Sequence, residues 1–170
     1  MVRNWYEGRM AEYERAAFIV IDKGKMQLTV HGLDGEVKAQ WPIACGKGLG
    51  DKHAEGDNCT PEGVFRISDI QNSSGWKHDF GDGRGDIAGA YGPYFLRLST
   101  GRHKGIGIHG THDPGSMGKR ATEGCIRLRN DDIERLKSMA YCGLTVIVLP
   151  SEDDIMENSR QSKKEDNAET

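Results

Sequence analysis

Apolar residues recur at every second position through much of this chain, the period of a half-buried β-strand rather than of a helix. Residues 18–22 and 26–31 form the first two such stretches. Lys23-Gly24-Lys25 separates them, which predicts a β-hairpin with a glycine-containing turn. After a turn at Asp34-Gly35, Val37, Ala39, Trp41 and Ile43 alternate across 36–44 and predict a strand with one buried face. Further strands are predicted over 64–70, 94–99, 105–109 and 144–149, the last stopped by Pro150.

The period changes in two places. Trp5, Met10, Tyr13 and Ala17 stand three to five apart with charges between them, so residues 4–17 read as a helix or a linker. Ile133, Leu136 and Ala140 share a helical face behind Asn130-Asp131-Asp132, an N-cap followed by acidic first-turn residues, and Gly143 closes that helix.

Between the periodic stretches, 46–58 is loop, and its Gly46-Lys47-Gly48-Leu49-Gly50 lacks the Lys-Ser/Thr ending of a phosphate-binding loop. Thr60-Pro61-Glu62-Gly63 predicts a tight turn. In 71–92 six glycines interrupt every apolar pattern, and this long loop is either a substrate rim or lid carrying Trp76, His78 and Tyr91, or a solvated insertion. From Ser151 onward nearly every residue is polar or charged, which predicts a disordered tail. Seven or eight strands with one or two helices make a mostly β domain, a β-sandwich or partly closed barrel. The chain thus divides into 1–17, a domain over 18–150, and a tail over 151–170.

A chain of 170 residues is long enough for one domain with a hydrophobic core of its own. Its net charge of −3 excludes the basic excess of a nucleic-acid binder. The longest apolar run, 16–21, is too short to span a membrane or to form a signal core. Cysteines stand at 45, 59, 125 and 142. If Cys125 stays reduced, Cys45 and Cys59 could pair in an oxidising compartment; alternatively Cys45 and Cys142 are small buried hydrophobes.

Cys125 carries the chemical interest. It follows Gly124, and His109 stands sixteen positions upstream at the end of a short apolar stretch. A thiol and an imidazole are the minimum kit for cysteine nucleophilic catalysis, the imidazolium lowering the thiol pKa and carrying the proton. Glycine at 124 opens room for a substrate carbonyl and leaves the N–H groups of Gly124, Cys125 and Ile126 to face an oxyanion. In an extended chain Arg127 projects to the same side as Cys125 and could hold a carboxylate, or else pairs with Asp131 or Asp132 at the surface. A zinc site from His109, His112 and Cys125 is disfavoured, because Pro114, Gly115 and Gly118 deny the helix that would align the two histidines.

The segment from His109-Gly110-Thr111 to Thr122-Glu123-Gly124-Cys125-Ile126-Arg127, with Thr60-Pro61-Glu62-Gly63 upstream, resembles the L,D-transpeptidase (YkuD-like) catalytic domain family. The similarity runs from about Phe18 to Leu149. It implies a β-sandwich with Cys125 in a cleft beneath a loop, and thioester acyl transfer on peptidoglycan tetrapeptide stems. Catalytic roles would fall to Cys125, His109 and the backbone of Gly124 and Ile126. Arg127, Thr111, Gly110 and Thr122 would bind substrate, with no metal or cofactor. The resemblance also implies a monomer of the cell envelope or periplasm whose leader has been removed. Many members carry a second histidine just before the Gly-Cys pair, where this chain has Glu123, so any role of that histidine is dropped here. Hydrolysis of the same acyl-enzyme, an L,D-carboxypeptidase, and a non-catalytic wall-binding module are the alternatives.

Overall fold

The computed structural model describes residues 15–168. The helix expected over 4–17 lies outside them up to position 14, and residues 15–17 run in without regular structure.

β1 (Phe18–Asp22) and β2 (Gln27–His31) pair antiparallel, with Phe18 opposite His31 and Asp22 opposite Gln27. That register puts Ile19, Ile21, Leu28 and Val30 on one buried face. Their turn does not use its glycine's freedom. Asp22 Oδ1 accepts the N–H groups of Gly24 and Lys25, at 2.9 Å each, and the left-handed residue is Met26 at φ 50°. β3 (Val37–Pro42) follows, burying Trp41 while Val37 stays exposed, and the chain passes into the two-residue β4 (Cys45–Gly46).

β5 (Gly63–Asn72), ten residues long, joins the two halves of the fold. Its first part pairs antiparallel with β12 (Thr145–Leu149), which lies parallel to β1. Its second part pairs with β8 (Tyr94–Leu98), which pairs in turn with β9 (Gly107–His109). β11 (Ile126–Arg127) runs parallel to β9 at the edge. The eight-stranded sheet, in the order β11-β9-β8-β5-β12-β1-β2-β3, curls into a half-barrel. The mostly β architecture expected from the alternation is therefore the one observed.

β6 (Lys77–Asp79) and β7 (Asp86–Ala88) form a small hairpin within the glycine-dense segment. Three-residue strands are too short to leave a readable alternation. β10 (Arg120–Thr122) pairs with β4 just ahead of the cysteine.

α1 (Asn130–Met139) seats Ile133 and Leu136 in the core with Leu96, Ile108, Ile126, Leu128 and Val146. Its N-cap is Arg129, not Asn130, and no side chain caps it. Asn130 is already helical, and its Oδ1 instead accepts the Thr111 N–H at 2.8 Å. The helix stops at Met139, so Gly143 lies beyond it, giving its N–H to the Ile67 carbonyl at 2.7 Å.

The segment expected to be a disordered tail is α2 (Glu152–Ala168). Its polar composition hid its anchors, because they are ionic rather than apolar. Lys23, a turn residue by sequence, is only 1% exposed. Its ammonium donates to the carbonyls of Gly50 (3.0 Å) and Thr60 (3.2 Å) and pairs with Glu62 (2.7 Å) and Asp154 (3.4 Å). Asp154, fully buried, also accepts from the Gly50 N–H (2.8 Å), Arg120 (2.7 Å) and Ser151. Burial alone would raise the Asp154 pKa, but the bonds from Ser151, Gly50 and Arg120 hold it well below the usual carboxylate range. Asn158 adds a bond to Glu62 at 2.9 Å and accepts the Asp51 N–H at 2.7 Å.

Removing one partner of a buried ion pair strands the other, which costs about 3–5 kcal/mol. Asp154→Asn is therefore expected to lower unfolding free energy by that order in urea denaturation. A loss below about 1 kcal/mol, the scale of an exposed pair, would mean that Lys23 does not depend on α2.

Candidate active site

Thr60 leads from the buried lysine to the cysteine. While its carbonyl accepts from Lys23, its hydroxyl accepts the Gly46 N–H and donates to the Gly124 carbonyl, both at 2.8 Å. Gly124 has φ 133°, where a side chain is strained, and a Cβ there would stand 2.8 Å from the Cys59 carbonyl oxygen. Close backbone approach therefore requires this glycine, where the sequence suggested room for substrate. On the other side Thr122 Oγ1 accepts the Gly124 N–H at 3.2 Å and donates to the Cys125 carbonyl at 2.6 Å. Two threonines thus hold the loop that presents the sulfur, and the Gly124 N–H is already engaged.

Cys125 is half-buried, and its Sγ donates to the Gly105 carbonyl at 3.3 Å. His109, at the end of β9, is 4% exposed. Its ring stacks on Phe95, with centroids 5.6 Å apart and planes 7° apart, and meets Tyr91 edge-on at 5.0 Å. The Nδ1 lies 2.5 Å from the Gly110 carbonyl oxygen. A carbonyl can only accept, so Nδ1 carries the proton and Nε2 keeps its lone pair. Cys125 and His109 line one cavity of about 650 Å³, together with Thr122 and Arg127.

Burial drives both groups to their neutral forms. It pushes the His109 imidazole from 6.5 down to about 4, against the pull of its bond to Gly110, with the Arg127 charge adding to the fall. It pushes the Cys125 thiol from 9.0 up to about 11, although a hydrogen bond from the Gly107 N–H and the charges of Arg97 and Arg127 oppose it. A standing imidazolium that ionises the thiol, as expected from the sequence, is not the resting state of this site.

Arg127 is 4% exposed and donates from Nη1 to Ser116 Oγ at 3.0 Å. Its nearest carboxylate is that of Asp113, at 4.0 Å, rather than Asp131 or Asp132. Among the described residues its buried Nε has no hydrogen-bond partner. A guanidinium N–H buried beside a cavity without an acceptor suits a ligand oxygen.

Of the other sequence candidates, Trp76, His78 and Tyr91 of the 71–92 loop line the same cavity, while Ile126, Gly110, Thr111 and His112 lie off its wall. Ile126 is a core side chain, leaving only its backbone near the site. Gly110 and Thr111 are structural: a Cβ at Gly110 would collide with Asn130 Oδ1, and Thr111 is tied to Asn130 and Asp113. Cys45 and Cys59 are buried and unpaired, and Cys142 is exposed rather than buried. His112 faces the Phe80 ring, with centroids 5.4 Å apart.

Sequence reasoning missed one contributor and the partner of another. Arg97, in β8 between buried Leu96 and Leu98, lines the cavity with its guanidinium 5.1 Å over the Phe95 ring. A charge in an otherwise apolar strand was the signal that could have found it. His78, one of the rim residues, had no partner in sequence, yet its Nε2 meets Glu123 Oε2 at 2.7 Å and its Nδ1 meets the Tyr91 hydroxyl at 3.0 Å. The two residues are 45 positions apart, so no local pattern could pair them. An imidazole therefore stands beside the Gly-Cys pair after all, supplied by the β6–β7 hairpin.

Comparison with known proteins places this geometry. Residues 16–148 match the family model of the L,D-transpeptidase catalytic domain. The chain is 34% identical over 130 residues to YkuD of Bacillus subtilis (strain 168), covering 76% of this chain and 64% of that protein. Among solved structures, the helical cell shape determining protein Pgp2 of Campylobacter jejuni superposes with a TM-score of 0.58 at 26% identity, over 81% of this chain and 48% of that one. The catalytic domain of the E. faecium L,D-transpeptidase does so with a TM-score of 0.58 at 23% identity, over 78% and 96%. With three quarters of its length under that one family model, the chain belongs to the L,D-transpeptidase catalytic domain family.

Proposed function

We propose that the chain is a cysteine-dependent L,D-transpeptidase that joins peptidoglycan tetrapeptide stems through a thioester on Cys125. The observation that carries this reading is a half-buried thiol and a buried imidazole on the walls of one cavity, the ring held with its Nε2 lone pair free. As Sγ attacks the carbonyl before the terminal D-alanine, Nε2 takes the thiol proton and passes it to the departing amine. We assign the oxyanion to the Cys125 N–H, since Thr122 occupies that of Gly124. Arg127 offers its unpartnered Nε to a donor oxygen, and the basic side chains on the cavity wall favour an anionic stem. A second stem's amine then attacks the thioester, and the sulfur recovers its proton through His109.

Stem peptides place the working site in the cell envelope. Among the described residues no helix is long and apolar enough to cross a membrane. Hydrolysis of the same thioester, the carboxypeptidase reading, is favoured by one observation: Cys125 is only half-buried, so water reaches it. Cross-linked dimers from stem peptides would indicate transfer, and trimmed tripeptides hydrolysis.

Incubation with a carbapenem, which acylates an active-site thiol, should give a covalent adduct by intact mass that is absent in Cys125→Ala. His109→Gln should slow its formation by roughly 10²–10⁴, the usual worth of a positioned general base. No adduct on the parent chain would overturn the reading.

The pH dependence follows from the neutral pair. Acylation should stay level through neutrality and fall only as the pH drops through about 4, where Nε2 becomes protonated and can no longer accept the thiol proton. A limb near 6.5 would contradict this. The same burial governs stability. Because the folded value lies below the ordinary one, the unfolded chain binds a proton first as pH falls below 6.5, and stability is lost between 6.5 and about 4. His109→Gln lacks this group, and its acid limb in denaturant titrations should be shallower by on the order of 3 kcal/mol.

A further inference from the structure

We propose that Glu123 and His78 form the acceptor site of the reaction: the Glu123 carboxylate draws the acceptor's ammonium, and the pair removes one proton from it beside the thioester. This rests on the transpeptidase reading above.

The proton count leaves a task for such a site. An ammonium that becomes an amide nitrogen sheds two protons. One goes to His109 Nε2 as the nitrogen attacks the thioester carbonyl and the C–N bond forms. His109 returns that proton to sulfur as the C–S bond breaks, restoring the thiol. The other proton must leave before attack, since an ammonium has no lone pair, and His109 has only one free nitrogen to offer.

Glu123 meets the requirement by position and by charge. It stands two residues before Cys125 on the cavity wall, with its side chain 48% exposed. The wall carries five basic side chains but only two carboxylates, Glu55 and Glu123, and it is the charge of Glu123 that reaches the Cys125 sulfur. A cation entering beside the nucleophile has Glu123 as its counter-charge. His78 engages Oε2 alone, and among the described residues Oε1 has no hydrogen-bond partner, which leaves it for the ammonium.

His78 is held for its part. A carboxylate can only accept, so Nε2 donates to Glu123 at 2.7 Å and Nδ1 accepts from the Tyr91 hydroxyl at 3.0 Å, which orients the carboxylate and leaves its Oε1 to take the ammonium's proton. The Tyr91 ring also lies 5.0 Å from His109 and 5.6 Å from His78, so one aromatic side chain braces both imidazoles. With 48% of its side chain exposed, Glu123 can release the proton it takes to solvent.

The alternative is an ion pair that merely staples the β6–β7 hairpin to the cysteine loop. A synthetic stem tetrapeptide bearing a diamino acid, both donor and acceptor, separates the two. In Glu123→Gln and in His78→Gln, the ratio of cross-linked dimer to hydrolysed tripeptide should fall at least tenfold and the KM for acceptor amine should rise, with Cys125 still acylated by the donor. Acylation by itself reports that the variant is folded. Glu123→Asp, which keeps the charge, should recover part of the ratio. An unchanged ratio in both variants, with a lower melting temperature only, would reduce the pair to a staple and overturn the proposal. A parent chain that never forms an adduct at Cys125 removes the transpeptidase reading itself, and this one with it.

Discussion

The site depends on a buried ammonium. Lys23 gives its charge to two carbonyls and two carboxylates from three separate stretches of chain, the loop at Gly50, the turn at Thr60 and Glu62, and α2 through Asp154, and so ties them to its own β1–β2 corner. An ion without water must keep all its partners or pay heavily in desolvation, so these stretches are held together as a unit. Thr60 belongs to that unit, and its hydroxyl reaches the carbonyl just before Cys125. Cys125 is thus placed by a chain of contacts that runs from Asp154 in α2 through Lys23 and Thr60 to the Gly124 carbonyl.

A second constraint is dryness. Aromatic rings enclose His109, and its Nδ1 is committed to Gly110, so the ring can neither turn nor charge easily. Cys125 is equally reluctant to ionise. Such a pair stores no thiolate at rest. Charged groups sit around this neutral centre rather than in it, with Arg97 and Arg127 lowering the thiol pKa and Glu123 raising it. That arrangement fits a reaction between an anionic donor and a cationic acceptor.

Several elements were legible because their physics is local. Alternation announced β1, β2, β8 and β12, and the Gly-Cys-Ile-Arg and His-Gly-Thr runs pointed to the cysteine and histidine that share a cavity wall. Other elements were misread because a residue's local preference was overruled from a distance. Lys23 reads as an exposed turn residue until four partners surround it. The stretch after Pro150 reads as disordered because it lacks apolar periodicity, yet Asp154 and Asn158 anchor it through ions and amides. Asn130 reads as a cap, but its side chain finds the Thr111 N–H first.

By itself the sequence determined the strand class and singled out the Cys125–His109 pair, since the first follows from side-chain period and the second from functional-group chemistry. Only the tertiary structure decided the protonation of that pair, which is a matter of burial, and the company it keeps, which is a matter of distance between residues far apart in the chain. His78 and Glu123 show the difference: they stand 45 positions apart, and their contact exists only because the β6–β7 hairpin meets the cysteine loop.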